Sequence, residues 1–127
     1  MKPQTSTKAF LRSMARMTWQ EFPGHHGGAL SKELVSESLV GTRKLDVRIS
    51  HYQPMAHVEN HVHTVQEQVY YVLEGEGMLT LDGEEHIVRP HDYVWIPVGV
   101  YHSITACGIS PLVFLVISGP SADTKAD

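Results

Sequence analysis

Histidine is the residue type that sets this chain apart. Nine occur in 127 residues, and seven of them fall between His51 and His102. Two stand one residue apart, His61-Val62-His63. On an extended strand residues i and i+2 share a face, about 6–7 Å apart along the chain, so both imidazoles can reach one ion. Imidazole-rich sites take Fe, Mn, Ni, Zn or Cu. With a coordination position left open, such an ion does Lewis-acid or redox work on a bound oxygen. A lone His-x-His is a weak signal, because strand histidines also serve as ordinary surface residues. The rest of the chain has to supply the frame and the remaining ligands.

The chain length fits one domain with a core that needs no disulfide or structural metal. The composition, 42% hydrophobic and 19% charged, is that of a globular protein. Ten basic against fourteen acidic residues, with no basic cluster, exclude nucleic acid as the expected partner. The longest apolar run, Leu112–Ile117, falls far short of the roughly 18 residues a membrane span requires. The single cysteine, Cys107, forbids an internal disulfide or a CxxC site and is expected to be a small packed residue. With no charged-then-apolar leader in its opening residues, the expected location is the cytoplasm.

The elements that must hold the histidines are strands. Phe10, Met14 and Met17 follow helical spacing, which predicts a short amphipathic helix over Ala9–Met17. Pro23 through Gly28 is expected to be a loop, His25 and His26 with it. From Ser31 onward short β segments recur: Leu34-Val35, Leu39-Val40, Leu45–Ile49, Val69–Leu73, Tyr93–Ile96, Ile104-Thr105 and Leu112–Ile117. Met78–Leu81 and Glu84–Val88 flank Asp82-Gly83, a dipeptide suited to a type I′ hairpin turn. Strands at this spacing predict an all-β antiparallel sandwich or barrel. The expected division is an N-terminal extension over 1–30, the barrel over 31–118 and a polar tail over 119–127. Trp95 is expected in the core.

Over residues 45–118 the sequence resembles the cupin superfamily. His61, His63 and Gly75 match its first motif; Pro97, Gly99 and His102 match its second. Met55 and His91 stand where each motif opens with glycine, and Ala106 replaces a closing asparagine. The resemblance implies a double-stranded β-helix in which His61, His63 and His102 hold one divalent ion. The fourth ligand is glutamate in most metal-binding cupins. Counting back from Gly75 reaches Gln68, with Glu67 as the competitor; a one-residue step on a strand reverses the face, so one of the two can serve. Three imidazoles and an amide would leave the ion its full double charge, favouring an anionic oxygen ligand and resisting oxidation.

Tyr70 shares the face of Gln68 and is a candidate for contact with substrate. His57 precedes His61 by four residues, about 13 Å on a straight strand, which places it at the rim of the site. A bulge near Pro54-Met55 would instead fold it inward as a further ligand. His57 and Tyr70 are the candidate catalytic acid–base groups. The function expected from the resemblance is a metal-dependent enzyme acting on a small oxygen-rich or anionic metabolite. Its chemistry would be dioxygenation or Lewis-acid isomerisation, cyclisation or lyase work. A non-catalytic binding module and a metal-free epimerase-type cupin are the alternatives. A homodimer is expected, since edge strands are commonly covered by a partner.

Overall fold

The computed structural model describes residues 8–124. Ten strands form two antiparallel five-stranded sheets. One sheet has the order β1 (His25–His26), β4 (His57–His61), β9 (His102–Ala106), β6 (Gly77–Leu81) and β7 (Glu84–Val88). The other has the order β2 (Ala29–Val35), β3 (Asp46–Tyr52), β10 (Leu112–Gly119), β5 (Glu67–Glu74) and β8 (Tyr93–Ile96). This is the expected double-stranded β-helix. Its core is built from Tyr52, Phe114, Leu79, Ile104, Ile96 and Leu112, all essentially buried. Each such side chain contributes roughly 1.5–3 kcal/mol by leaving water.

The hairpin follows its turn residues: Asp82 and Gly83 both take positive φ, 47° and 83°, and β6 pairs with β7 from Leu81–Glu84 outward. At Gly75 the chain passes so close to the Pro111 carbonyl that a Cβ would collide with it. The two motif positions that lack glycine keep a glycine-like backbone. Met55 and His91 both adopt φ 73°, a left-handed conformation uncommon for side-chain-bearing residues.

Several expectations fail for identifiable reasons. The N-terminal helix reduces to one 3-10 turn over Met14–Arg16, and Phe10 and Met14 are both 44% exposed, so no buried apolar face supports a longer helix. Leu39-Val40 belongs to a helical turn, α1 (Glu37–Val40). Ser36 Oγ accepts from the Leu39 N–H, and Gly41 closes the turn at φ 74°. Trp95 is 60% exposed: on β8 it is Ile96 that is buried, which turns Trp95 outward. Cys107 is exposed rather than packed. The sheets begin before residue 31, with β1 and the start of β2 inside the supposed extension. Asp123, in the supposed tail, packs back onto residues 63–66.

Strand β3 inverts the usual alternation. Its polar residues Asp46, Arg48 and Ser50 line the interior cavity, while Val47 and Ile49 point to the outer face. This sheet therefore carries, on its inner wall, a polar stretch beside its apolar core. Its outer face, with Leu45, Ile117, Trp95 and Tyr93 all 40% exposed or more, is apolar.

Candidate metal centre

The imidazoles of His61, His63 and His102 converge. Ring centroids lie 4.1 Å apart for His61 and His102, 5.0 Å for His61 and His63, and 5.3 Å for His63 and His102. Their ligand nitrogens all fall within 4.8 Å of one another, the one such group among the described residues. Cross-strand pairing produces this. His61 at the end of β4 faces His102 at the start of β9, after a shift in register between Val58 and His61. The Gly99 N–H donates to the His63 carbonyl at 3.0 Å, which ties the loop carrying His63 to the turn before His102.

Each ring directs its Nδ1 away from the cluster. His61 Nδ1 donates to the Glu59 carbonyl at 2.6 Å, and His102 Nδ1 lies 2.8 Å from the Val100 carbonyl. His63 Nδ1 stands 3.5 Å from an Asp123 carboxylate oxygen. That carboxylate accepts from the backbone N–H groups of Thr64, Val65 and Gln66. Burial works against its charge, but these three donors and His63 together hold its pKa below the usual range. With Nδ1 protonated and engaged, Nε2 of each ring is left as a lone pair, the form that ligates metals.

Gln68 reaches the cluster from the opposite sheet. It is buried on the inner face of β5, with Tyr70 and Val72 in the same alternation. Its Nε2 donates to Ser118 Oγ at 3.1 Å, which turns Oε1 toward His102 Nε2 at 3.0 Å. Glu67 faces outward and accepts from Trp95 Nε1 at 2.8 Å. Of the two residues that competed in sequence, Gln68 is the one placed beside the histidines.

The donor set fits a cation on two observations. His63 Nε2 is buried with no hydrogen-bond partner, a costly state for a polar atom unless something binds it. Burial also lowers the pKa of His61, and that of His102 to about 4, so both rings are neutral near pH 7. A neutral ring has one N–H and cannot serve both the Val100 carbonyl and Gln68 Oε1. With the amide held as Ser118 holds it, one acceptor pair at His102 is left facing without a proton between.

A cavity of about 350 Å³ opens beside the cluster, small on the scale of metabolite pockets. Tyr70 lines it, 4% exposed, its ring centroid 6.1 Å from that of His102. Burial raises the pKa of Tyr70 and of Tyr52 beside it, so both phenols stay protonated. His57 is not among the cavity's residues. The register shift after Val58 puts Val58 on the cavity side, and the His57 ring lies outside it, its centroid 5.4 Å from that of His26 and the two planes tilted by 39°. The structure brings His25 instead. This residue, expected in a solvated loop, pairs with Val58 through β1 and lines the cavity. His25 Nδ1 donates to the Pro23 carbonyl at 3.0 Å, and burial lowers its pKa. The pairing β1–β4 crosses more than thirty residues and has no signal in a two-residue strand. His51 packs beside Trp19, His86 beside Glu84, and His91 against the Tyr71 hydroxyl, all away from the cluster.

Two facing antiparallel sheets, an interior cavity and a three-histidine cluster able to take a metal define a double-stranded β-helix protein of the metal-site type. The family follows: the model described as "Cupin domain" matches residues 48–118, and the chain belongs to that family. Uncharacterized protein MJ1618 of Methanocaldococcus jannaschii is 42% identical over 60 residues, 47% of this chain and 48% of its own length. The match thus spans about half of that curated relative. Among solved structures, a predicted oxalate decarboxylase of Thermotoga maritima is similar at TM-score 0.79 and 22% identity, over 87% of this chain and 99% of its own. The polyketide cyclase RemF of Streptomyces resistomycificus is similar at TM-score 0.77 and 22% identity, over 88% of this chain and 80% of its own. At these identities the likeness concerns the fold. No helix among the described residues is long and apolar enough to cross a membrane.

Proposed function

We propose that this protein is a metal-dependent cupin enzyme in which His61, His63, Gln68 and His102 hold one divalent ion and the cavity beside them receives a small anionic or oxygen-rich metabolite. The observation that carries the proposal is the convergence of one ring nitrogen from each of the three histidines within 4.8 Å, with His63 Nε2 buried without a partner. A bound ion would supply Lewis-acid polarisation of a substrate oxygen. The neutral ligand set favours isomerisation or cyclisation over dioxygenation, because no carboxylate offsets the charge of an oxidised metal. Solved relatives whose names speak of oxalate decarboxylation and polyketide cyclisation support small oxygenated substrates.

In this reading the chain's own groups divide the remaining work. Ser118 orients the Gln68 amide, and Asp123 orients His63. His25, neutral and with Nε2 unengaged, is placed to take a proton. Tyr70, protonated at all working pH values, is placed to donate a hydrogen bond. His57 loses its proposed catalytic role, since its ring lies outside the cavity. The apolar outer face around Trp95, Tyr93 and Ile117 supports a homodimer, and the lone exposed thiol of Cys107 suits a reducing cytoplasm.

Metal analysis of protein purified without chelator or affinity-tag nickel tests the proposal. About one equivalent of a divalent metal, lost in His61→Ala and in His102→Ala, is the expected result. Unchanged metal content in both variants overturns it.

A further inference from the structure

The cavity wall opposite the histidines holds a charged pair that metal binding does not use. Asp46, 5% exposed, and Arg48 both line the cavity from β3. Arg48 Nε donates to Asp46 Oδ1 at 2.9 Å. The guanidinium is fixed on its other sides by the Phe22 ring, 4.2 Å from its centroid, and by Glu33 at 3.6 Å. Among the described residues the bond seen at this carboxylate is the one from Arg48 to Oδ1, and Oδ2 is not among the fully enclosed atoms that lack a partner. An oxygen on the cavity wall in that state can accept from a donor the cavity's occupant brings. Burial accordingly raises the Asp46 pKa against the opposing pull of Arg48.

The position of the pair relative to Gln68 follows from strand register. Ser118 on β10 pairs with Asp46 on one side and with Gln68 on the other. The three side chains stand in one row across the inner wall, and two strand spacings separate Asp46 from Gln68, about 10 Å between Cα atoms. Arg48 and Tyr70 flank Val116 in the next row in the same way. A ligand held by its oxygens at the Gln68 end would reach Asp46 and Arg48 with its far end after a short carbon chain.

We infer that Asp46 and Arg48 form a distal subsite that reads a hydroxyl group of the substrate, and that it rejects a second carboxylate. A hydroxyl can donate to Asp46 Oδ2 while accepting from an Arg48 amino group. A carboxylate there would have no proton to give and would face Asp46, while the one positive charge of Arg48 is already shared between Asp46 and Glu33. The substrate class is therefore a hydroxylated acid with its chelating oxygens at one end and neutral hydroxyls at the other. The inference rests on the metal-enzyme reading and adds to it the chemistry of the substrate's far end.

The test uses protein loaded with cobalt(II), whose visible spectrum reports ligands at the ion, and three probes sharing one 2-hydroxycarboxylate head. Glycolate has no far end, threonate carries hydroxyls and malate a second carboxylate. Threonate is expected to bind at least tenfold more tightly than glycolate, and malate no more tightly than glycolate. In Asp46→Asn, which keeps the shape and removes the charge, the threonate advantage should fall to threefold or less while malate gains relative to glycolate. Arg48→Lys, which keeps the charge and removes the fork, should also shrink the threonate advantage. Equal binding of the three probes to the wild-type protein, or tightest binding of malate, overturns the subsite and leaves the metal reading standing. Failure to take up cobalt overturns both.

Discussion

The two walls of the cavity are built on opposite principles. On the Gln68 side polar side chains brace one another and leave Asp46 Oδ2 open to the cavity: Ser31 bonds Ser50 at 2.7 Å, Gln68 bonds Ser118, and Arg48 bonds Asp46. On the histidine side each ring spends its one N–H outward and turns a lone pair inward, and His63 Nε2 has no partner at all. A wall whose side chains brace one another can be rigid without help. A wall of inward lone pairs is at ease only with a cation. The contrast separates what positions a ligand from what activates it, and each wall can be perturbed alone.

The largest effect is expected on the histidine wall. His102→Ala removes a fully buried ring and its ligand atom together, and should abolish stoichiometric metal and lower the thermal midpoint in the presence of metal. Retention of a full equivalent, measured by elemental analysis, would contradict the assignment. Next comes the one residue through which the walls meet. Gln68→Glu adds a negative charge at the cluster, so metal should bind more tightly and glycolate less tightly to the loaded protein. Glu67→Gln, on the outer face beside Trp95, should change neither. Dissociation constants for the two variants check this, and an effect confined to Glu67 would refute the inward role of Gln68.

Asp123→Ala should weaken metal binding by roughly tenfold, the usual scale when the partner of a ligating histidine is lost. Competition against a chelator measures it; an unchanged constant would mean that His63 is oriented without the carboxylate.

Acid should weaken the metal-free fold through the same wall. An unfolded imidazole titrates near 6.5, whereas burial depresses His102 to about 4 in the fold. Between those values the unfolded chain takes up a proton that the folded ring refuses. The contribution of His102 is therefore intact above pH 6.5 and lost as the pH falls toward 4. His61 and His25 shift the same way, and Asp46, raised by burial, opposes them. A thermal midpoint that stays flat from pH 6.5 to 4 would refute the burial account.

The smallest effect lies outside both walls. Met55, 73% exposed, sits at φ 73°, where a side-chain-bearing residue costs roughly 1–2 kcal/mol and glycine is free of that cost. Set against the extra chain entropy glycine loses on folding, Met55→Gly should stabilise by about 0.5–1 kcal/mol. Chemical denaturation reads it. His91→Gly should gain less, because it also removes the contact with the Tyr71 hydroxyl.

Much of this molecule was legible in its sequence, and the boundary has a physical cause. The hairpin at Asp82-Gly83, the strands and the convergence of His61, His63 and His102 follow from local periodicity and motif spacing. Parity placed Gln68 and Tyr70 on one face, because a strand alternates strictly. Parity failed where the strand did: the shift after Val58 took His57 out of the cavity. Leu39-Val40 misled because its apolar pair outweighed the Ser36 and Gly41 caps. Asp46 and Arg48 were visible as strand residues, but polar-in alternation reads the same as polar-out until the sheets are assembled. Asp123 and His25 act through contacts across tens of residues, which one sequence does not encode locally.

The outward turn of Trp95 has a consequence for how this protein can be watched. It carries two tryptophans, Trp95 on the outer face and Trp19 against the Lys32 ammonium near the N-terminus, and neither lines the cavity. Their intrinsic emission is therefore blind to a colourless metabolite entering the barrel. A second subunit closing over the β8 edge would shield the Trp95 indole from water and shift its emission to the blue. For this chain tryptophan fluorescence would gauge the proposed assembly, and occupancy of the cavity would have to be followed through the proposed metal.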